Sequence, residues 1–353
     1  MLIKTTNLPQ KIIEVSFYLL FFTIPFLFTS ATSEVFEFNK MLATYTLTLI
    51  IVFFWIVKSI FLGQVIFKRT VFDFPILLFI LSLIISTYFS IDVHTSIWGY
   101  YSRLNGGLLS IIVYSLLYFA YVSNMNSRSS FLSIHYLLIS AGLLSLWAIL
   151  EKLGYSPSCL FLQGEFNVDC WVQKVQERPF ATIGQPNWLS SWLVAIAPLS
   201  WLFLLNNKIN VQKLFFVSTL LLAIYFTKSD AGYLGLFGSF GIFLFSFLPQ
   251  GKKFKHILLY IIIIFSMLFA SFYMWNNYFK NCFSFDFTKK TQEGTSSCQI
   301  RSIVWKGALK IWQAYPITGS GVETFALSYY NFRPQEHNLT SEWNNLYNKA
   351  HNE

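Results

Sequence analysis

The side chains in this sequence best suited to chemistry are one histidine and two arginines, and each lies in a polar interruption of a strongly apolar chain. His351 sits in "KAHNE" at residues 349–353, and imidazole is the group that most readily takes a proton near neutral pH. The plain alternative is an ordinary loop residue. Arg301 heads the row Arg301, Trp305, Ala308, Trp312 in "QIRSIVWKGALKIWQAYPITGSG". A guanidinium on a mostly apolar row either snorkels to headgroups or is held for a phosphate. Arg178 precedes the Gly-Gln-Pro-Asn turn of "QERPFATIGQPNWLSSWL", where Pro186 suits a first helical turn and Asn187 suits a cap. A helix start rich in free amides beside an arginine makes an anion site, and equally makes a simple loop-to-helix junction. Together these groups point to anion binding and proton removal. DxD, HExxH and Walker patterns are absent from the sequence, so the expectation is an active site that uses neither metal nor nucleotide.

These residues must be positioned by membrane helices. The 353 residues are 55% hydrophobic and only 12% charged, about half the charge of a soluble domain. Apolar blocks fall near 12–29, 41–61, 74–90, 107–123, 131–150, 188–205, 214–227, 231–248 and 256–275. Each has roughly the length that crosses the hydrocarbon core as a helix. The fold expected is all-α: a polytopic transmembrane bundle of about nine helices over residues 1–275, with a loop near 151–187 and a large extracytoplasmic segment over 276–353. The first block resembles a secretory signal, but its length and the spans that follow favour a first span.

Topology follows from charge. With the N-terminus in the cytoplasm, Lys58, Lys68, Arg69, Arg128, Lys208, Lys213, Lys252, Lys253 and Lys255 fall in inside loops, and only Lys40, Arg103 and Lys228 in short outer ones. The net charge of +9 is thus a topology signal, and nucleic acid is not an expected partner. Cys159, Cys170, Cys282 and Cys298 all lie in the two long outer segments, where disulfides are expected, most simply one within each. The amphipathic pattern of 300–314, with Ser302, Lys306, Lys310 and Gln313 in one stripe, predicts a helix lying on the outer leaflet and ended by Pro316 and Gly319. Ionisable residues inside spans are scarce: Glu14, His135 and Glu151 lie near helix ends. That disfavours a transporter of lipid-linked saccharide or small anions, the alternative of a different class, because transport wants polar groups at mid-membrane.

Taken in order, "FSIDVHTSIWGYYSRLNGG", "RPFATIGQPNWLSSWL", "TKSDAGYLGL", "RSIVWKGALKIWQAYPITGSGVETF", "NFRP" and "AHNE" resemble the bacterial O-antigen ligase and polymerase family of membrane glycosyltransferases. The resemblance implies a GT-C-like bundle in the bacterial inner membrane and a role in lipopolysaccharide or related polysaccharide synthesis. It implies inverting, metal-independent transfer of a glycan from a polyprenyl diphosphate carrier to an acceptor hydroxyl of a lipid, glycan or protein. It also implies that His351 is the general base and that Arg301 binds the carrier diphosphate, with no cofactor. Where family members carry an arginine after the serine of "TKSDAGYLGL", this chain has Asp230, so Lys228 and Arg178 are the expected replacement cations. Members continue past the matched histidine with further spans, so a shortened chain is expected, and with it the alternative of an inactive homologue that only binds carrier lipid.

Overall fold

The computed structural model describes residues 7–205, 211–246 and 297–350, and among them every regular element is a helix. The predicted span at 256–275, Cys282 and His351 lie outside the described residues. The described chain divides into two compact units: 1–70 with 113–248, and 71–112 with 249–353.

In the first unit, α1 (Asn7–Thr23) runs into a 3-10 turn (Ile24–Phe26) that contains Pro25, and α2 spans Glu37–Leu62. At 26 residues α2 is about 39 Å long, more than the hydrocarbon core needs. It stops at Gly63, whose φ of 63° lets its N–H fold back to the Ile60 carbonyl without the cost a Cβ would bring. Three helices of this unit, α2, Ser127–Lys152 and Pro186–Leu204, have the length and apolarity to cross a membrane. Large apolar side chains such as Leu49 and Ile60 stand more than two-thirds exposed, a surface that only lipid solvates cheaply. The chain is a membrane protein.

α3 (Asp73–Tyr88), α4 (Val93–Trp98), α5 (Leu108–Asn124), α6 (Ser127–Lys152) and α7 (Pro157–Gln163) follow in order, then α8 (Pro186–Leu205), α9 (Val211–Phe226) and α10 (Asp230–Ser246). The main core of the first unit packs α6, α8 and α9 through Leu144, Leu193, Ala197, Leu220 and Ala223. Small residues bring the backbones close, as expected where lipid removes the hydrophobic drive between helices. A methyl added at Gly232 of α10 would lie 1.8 Å from the Ser190 hydroxyl of α8, so only glycine permits that crossing. At the opposite end Lys58, Gln10, Asn124, Glu14 and Ser129 form one hydrogen-bonded knot. This knot accounts for Glu14 structurally.

The second unit gathers α3, α4 and the start of α5 with α11 (Ser297–Ala314), α12 (Phe325–Phe332) and a 3-10 turn (Gln335–Leu339). α11 buries Ile300, Ile303, Val304 and Ile311 and exposes Lys306, Lys310 and Gln313. The amphipathic helix predicted from sequence is therefore present, with its apolar face against Tyr329, Tyr347 and Phe332. Two distant motifs are stitched together by serines. Ser96 Oγ donates to the Val322 carbonyl (2.9 Å), the Ile91 N–H donates to the Ser320 carbonyl (2.9 Å), and the Ser90 and Ser96 hydroxyls meet at 2.7 Å.

Candidate functional site

In the first unit the loop 151–187 is pinned by polar groups, of which Glu151 and Thr182 are wholly buried. The Glu151 carboxylate, fully buried, accepts from the N–H groups of Phe180 (3.2 Å) and Ala181 (2.8 Å) and from the Ser156 hydroxyl (3.2 Å). Ala181 is held at φ 51°, a conformation that costs a residue with a Cβ about a kcal/mol or more. The ammonium of Lys40 donates to the Thr182 carbonyl, and the Thr182 hydroxyl to the Pro25 carbonyl (2.6 Å). A disulfide between Cys159 and Cys170 closes the loop on itself, the pairing within one segment that the sequence favoured. Cys282 lies outside the described residues, so the second expected pair is not described.

This pinning fixes Arg178, whose Nε donates to the Thr227 carbonyl (2.9 Å) and whose Nη2 donates to the Asn187 Oδ1 (2.7 Å). Two of the five guanidinium N–H donors are used, and the side chain is exposed. The residue after Thr227 is Lys228, exposed and held at φ 48°. Arg178 and Lys228 are thus brought to one turn, between α9 and α10. Asn187 departs from its expected role: it lies inside the first turn of α8 and orients Arg178 rather than capping the helix. Asp230 opens α10, where a carboxylate is favoured by the helix dipole, and Ser229 accepts from the Gly232 N–H (3.2 Å).

In the second unit, residues on the Arg301 row converge on a hollow of about 770 Å³. Ala308 and Trp312 line it with Tyr315, Glu323, Asn348, Lys349 and Ala350. One turn beyond Arg301 on the same row, the Trp305 indole N–H donates to the Ala350 carbonyl (3.0 Å). The peptide immediately before His351 is therefore fastened to the helix that carries Arg301. Arg301 itself is half-buried. The segment leading to Ala350 is anchored below by an aromatic cluster around a fully buried histidine. The Tyr329 hydroxyl meets His337 Nδ1 at 2.7 Å, His337 Nε2 faces the Glu342 carbonyl (3.3 Å), and the Tyr347 hydroxyl donates to Glu342. Burial first, and then Arg333, hold the His337 imidazole below its ordinary pKa, so it is neutral at pH 7. Burial pushes the Tyr329 phenol up to about 12.

The sequence places Glu151 at a span end and Lys40 in a short outer loop without assigning either a part, and nothing in it singles out His337 or Glu323. Only Glu151 carried a signal: a carboxylate at the end of an apolar span has to be neutralised or hydrogen-bonded.

Residues 214–353 match the family described as O-Antigen ligase, a stretch that contains Lys228, Arg301 and His351. No curated protein and no solved structure matches the chain.

Proposed function

We propose, from the match of residues 214–353 to the O-antigen ligase family, that this membrane protein is a glycosyltransferase that moves a glycan from a polyprenyl diphosphate carrier to an acceptor hydroxyl on the outer face of the membrane. The observation that carries the reading is the bond from Trp305 to Ala350: one helix presents Arg301 and also tethers the peptide before His351. In the proposed step the acceptor oxygen attacks the anomeric carbon from the face opposite the leaving group. His351 takes the acceptor proton while the glycosidic C–O bond breaks, and the configuration inverts. The diphosphate leaves with additional negative charge, and fixed cations aimed at it stabilise that transition state more than the bound donor. Arg301 supplies a bidentate guanidinium to that diphosphate, and Arg178 and Lys228, at one turn of the first unit, are candidate anion contacts in their own right. The positive-inside bias of the loops supports a cytoplasmic N-terminus and an outward-facing site.

The test is transfer by the full protein in proteoliposomes, from undecaprenyl diphosphate-linked glycan to lipopolysaccharide core. His351→Ala is expected to lose roughly 10²–10⁴ in rate, the usual weight of a positioned base. Arg301→Lys should fall short of wild type because a point charge replaces a fork. EDTA should leave the rate unchanged. Wild-type turnover by either variant removes that residue from the mechanism.

A further inference from the structure

The hollow beside α11 has a composition that diphosphate binding does not explain. Its walls combine rings, Trp312, Tyr315, Phe79 and Phe325, with the acidic Glu323 and the amide of Asn348. A site built for a dianionic headgroup would exclude a carboxylate, since like charge repels. Aromatic faces beside acceptor-rich groups instead suit a pyranose: its axial C–H face packs on the negative face of a ring, and its hydroxyls donate to a carboxylate. Trp312 is 60% exposed, which leaves indole surface free for stacking.

Glu323 is the most constrained of these residues. It lies at φ 56°, where glycine or asparagine would be cheaper, so the backbone bears strain to keep a glutamate there. Its side chain is only 14% exposed and stands 3.9 Å from the Lys349 ammonium. Gly106 makes room for it: a methyl on Gly106 would come within 2.3 Å of the carboxylate oxygen. The flanking backbone is fixed by the serine contacts at Ser320 and Val322. We propose that this hollow is a saccharide subsite, with Trp312 as the stacking platform and Glu323, steadied by Lys349, as the acceptor of sugar hydroxyls. The inference rests on the transfer reading for its purpose, since the ring held there belongs either to the donor glycan or to a sugar acceptor.

Full-length protein in nanodiscs, probed by saturation-transfer NMR with the methyl glycosides of glucose, galactose, N-acetylglucosamine and rhamnose, tests it directly. At least one glycoside is expected to bind wild type, and Glu323→Gln and Trp312→Ala are each expected to weaken it about tenfold. Glu323→Gly removes the backbone strain and should lose binding with Tm unchanged or raised. In the transfer assay, a raised KM for acceptor in Glu323→Gln assigns the subsite to the acceptor, and a raised KM for donor assigns it to the donor. Binding of no glycoside, or binding and both KM values unchanged in Glu323→Gln and Trp312→Ala, overturns the subsite. Glycoside binding by a wild-type protein that transfers nothing would leave the subsite standing and remove the transferase reading.

Discussion

The loop 151–187 in the first unit and the segment 297–350 in the second are both long connections bearing proposed substrate contacts, yet they are held by opposite means. The first combines polar anchors, the buried Glu151 carboxylate and Thr182 hydroxyl and the Lys40 ammonium, with one disulfide and the rings of Phe36, Trp171 and Phe180. The second relies on its own small core of rings around a neutral histidine, with serines fastening its edge. Where buried polar anchors share the load with a ring cluster, the loss of one anchor strands its partners away from water and is costly even though the rings remain. A segment with its own core spreads the load over many contacts.

Single changes should therefore be far more damaging in the first region. Glu151→Ala strands two buried amides at about 1–3 kcal/mol each, so a loss of roughly 4 kcal/mol is expected. Hydrogen exchange should rise across 156–182 while 325–347 keeps its protection. Next in size, replacing Cys159 and Cys170 by serine opens a short loop worth about 3 kcal/mol, readable as a lowered Tm and as proteolysis within 160–178.

His337→Gln should be milder, about 1.5 kcal/mol, with exchange confined to 325–347. Its pH dependence is the sharper readout. Because the imidazole's pKa is lowered in the folded state, the unfolded chain binds the extra proton first. The contribution is present above about pH 6.5 and is lost as pH falls through the folded-state value. Wild-type Tm should drop on acidification between pH 7.5 and 5 more steeply than that of His337→Gln. Equal slopes would show that the histidine is not a keystone of this core. Smallest of all, Lys306→Ala should cost about 0.3 kcal/mol, because its pairing with Glu336 at 3.8 Å is exposed on both sides.

Much of the helical layout was legible because hydrocarbon imposes a length. The blocks read at 41–61 and 131–150 are the cores of α2 and α6, and the errors lie at their ends, where polar residues such as Glu37 and the cap Asn126 extend the helix beyond its apolar run. The amphipathic α11 was legible for the same reason, its periodicity being set by one buried face. Pairings over long sequence distances were not. Nothing local in "FSIDVHTSIW" announces that Ser96 will bond to Val322, because a serine hydroxyl carries no directional signature in sequence. Arg178 reaches the turn carrying Lys228 through Thr227 and Asn187, whose parts in holding it depend on geometry and were not legible. Glu323 was hidden because it is the left-handed backbone, and not the residue type, that singles it out.

The indole bond from Trp305 to Ala350 makes α11 a single lever. Any tilt of that helix, whether driven by lipid thickness or by arrival of a bulky headgroup, must carry Arg301 and the chain at Ala350 in concert. On the proposed mechanism, capture of the carrier and presentation of the proton acceptor are thereby coupled through one helix.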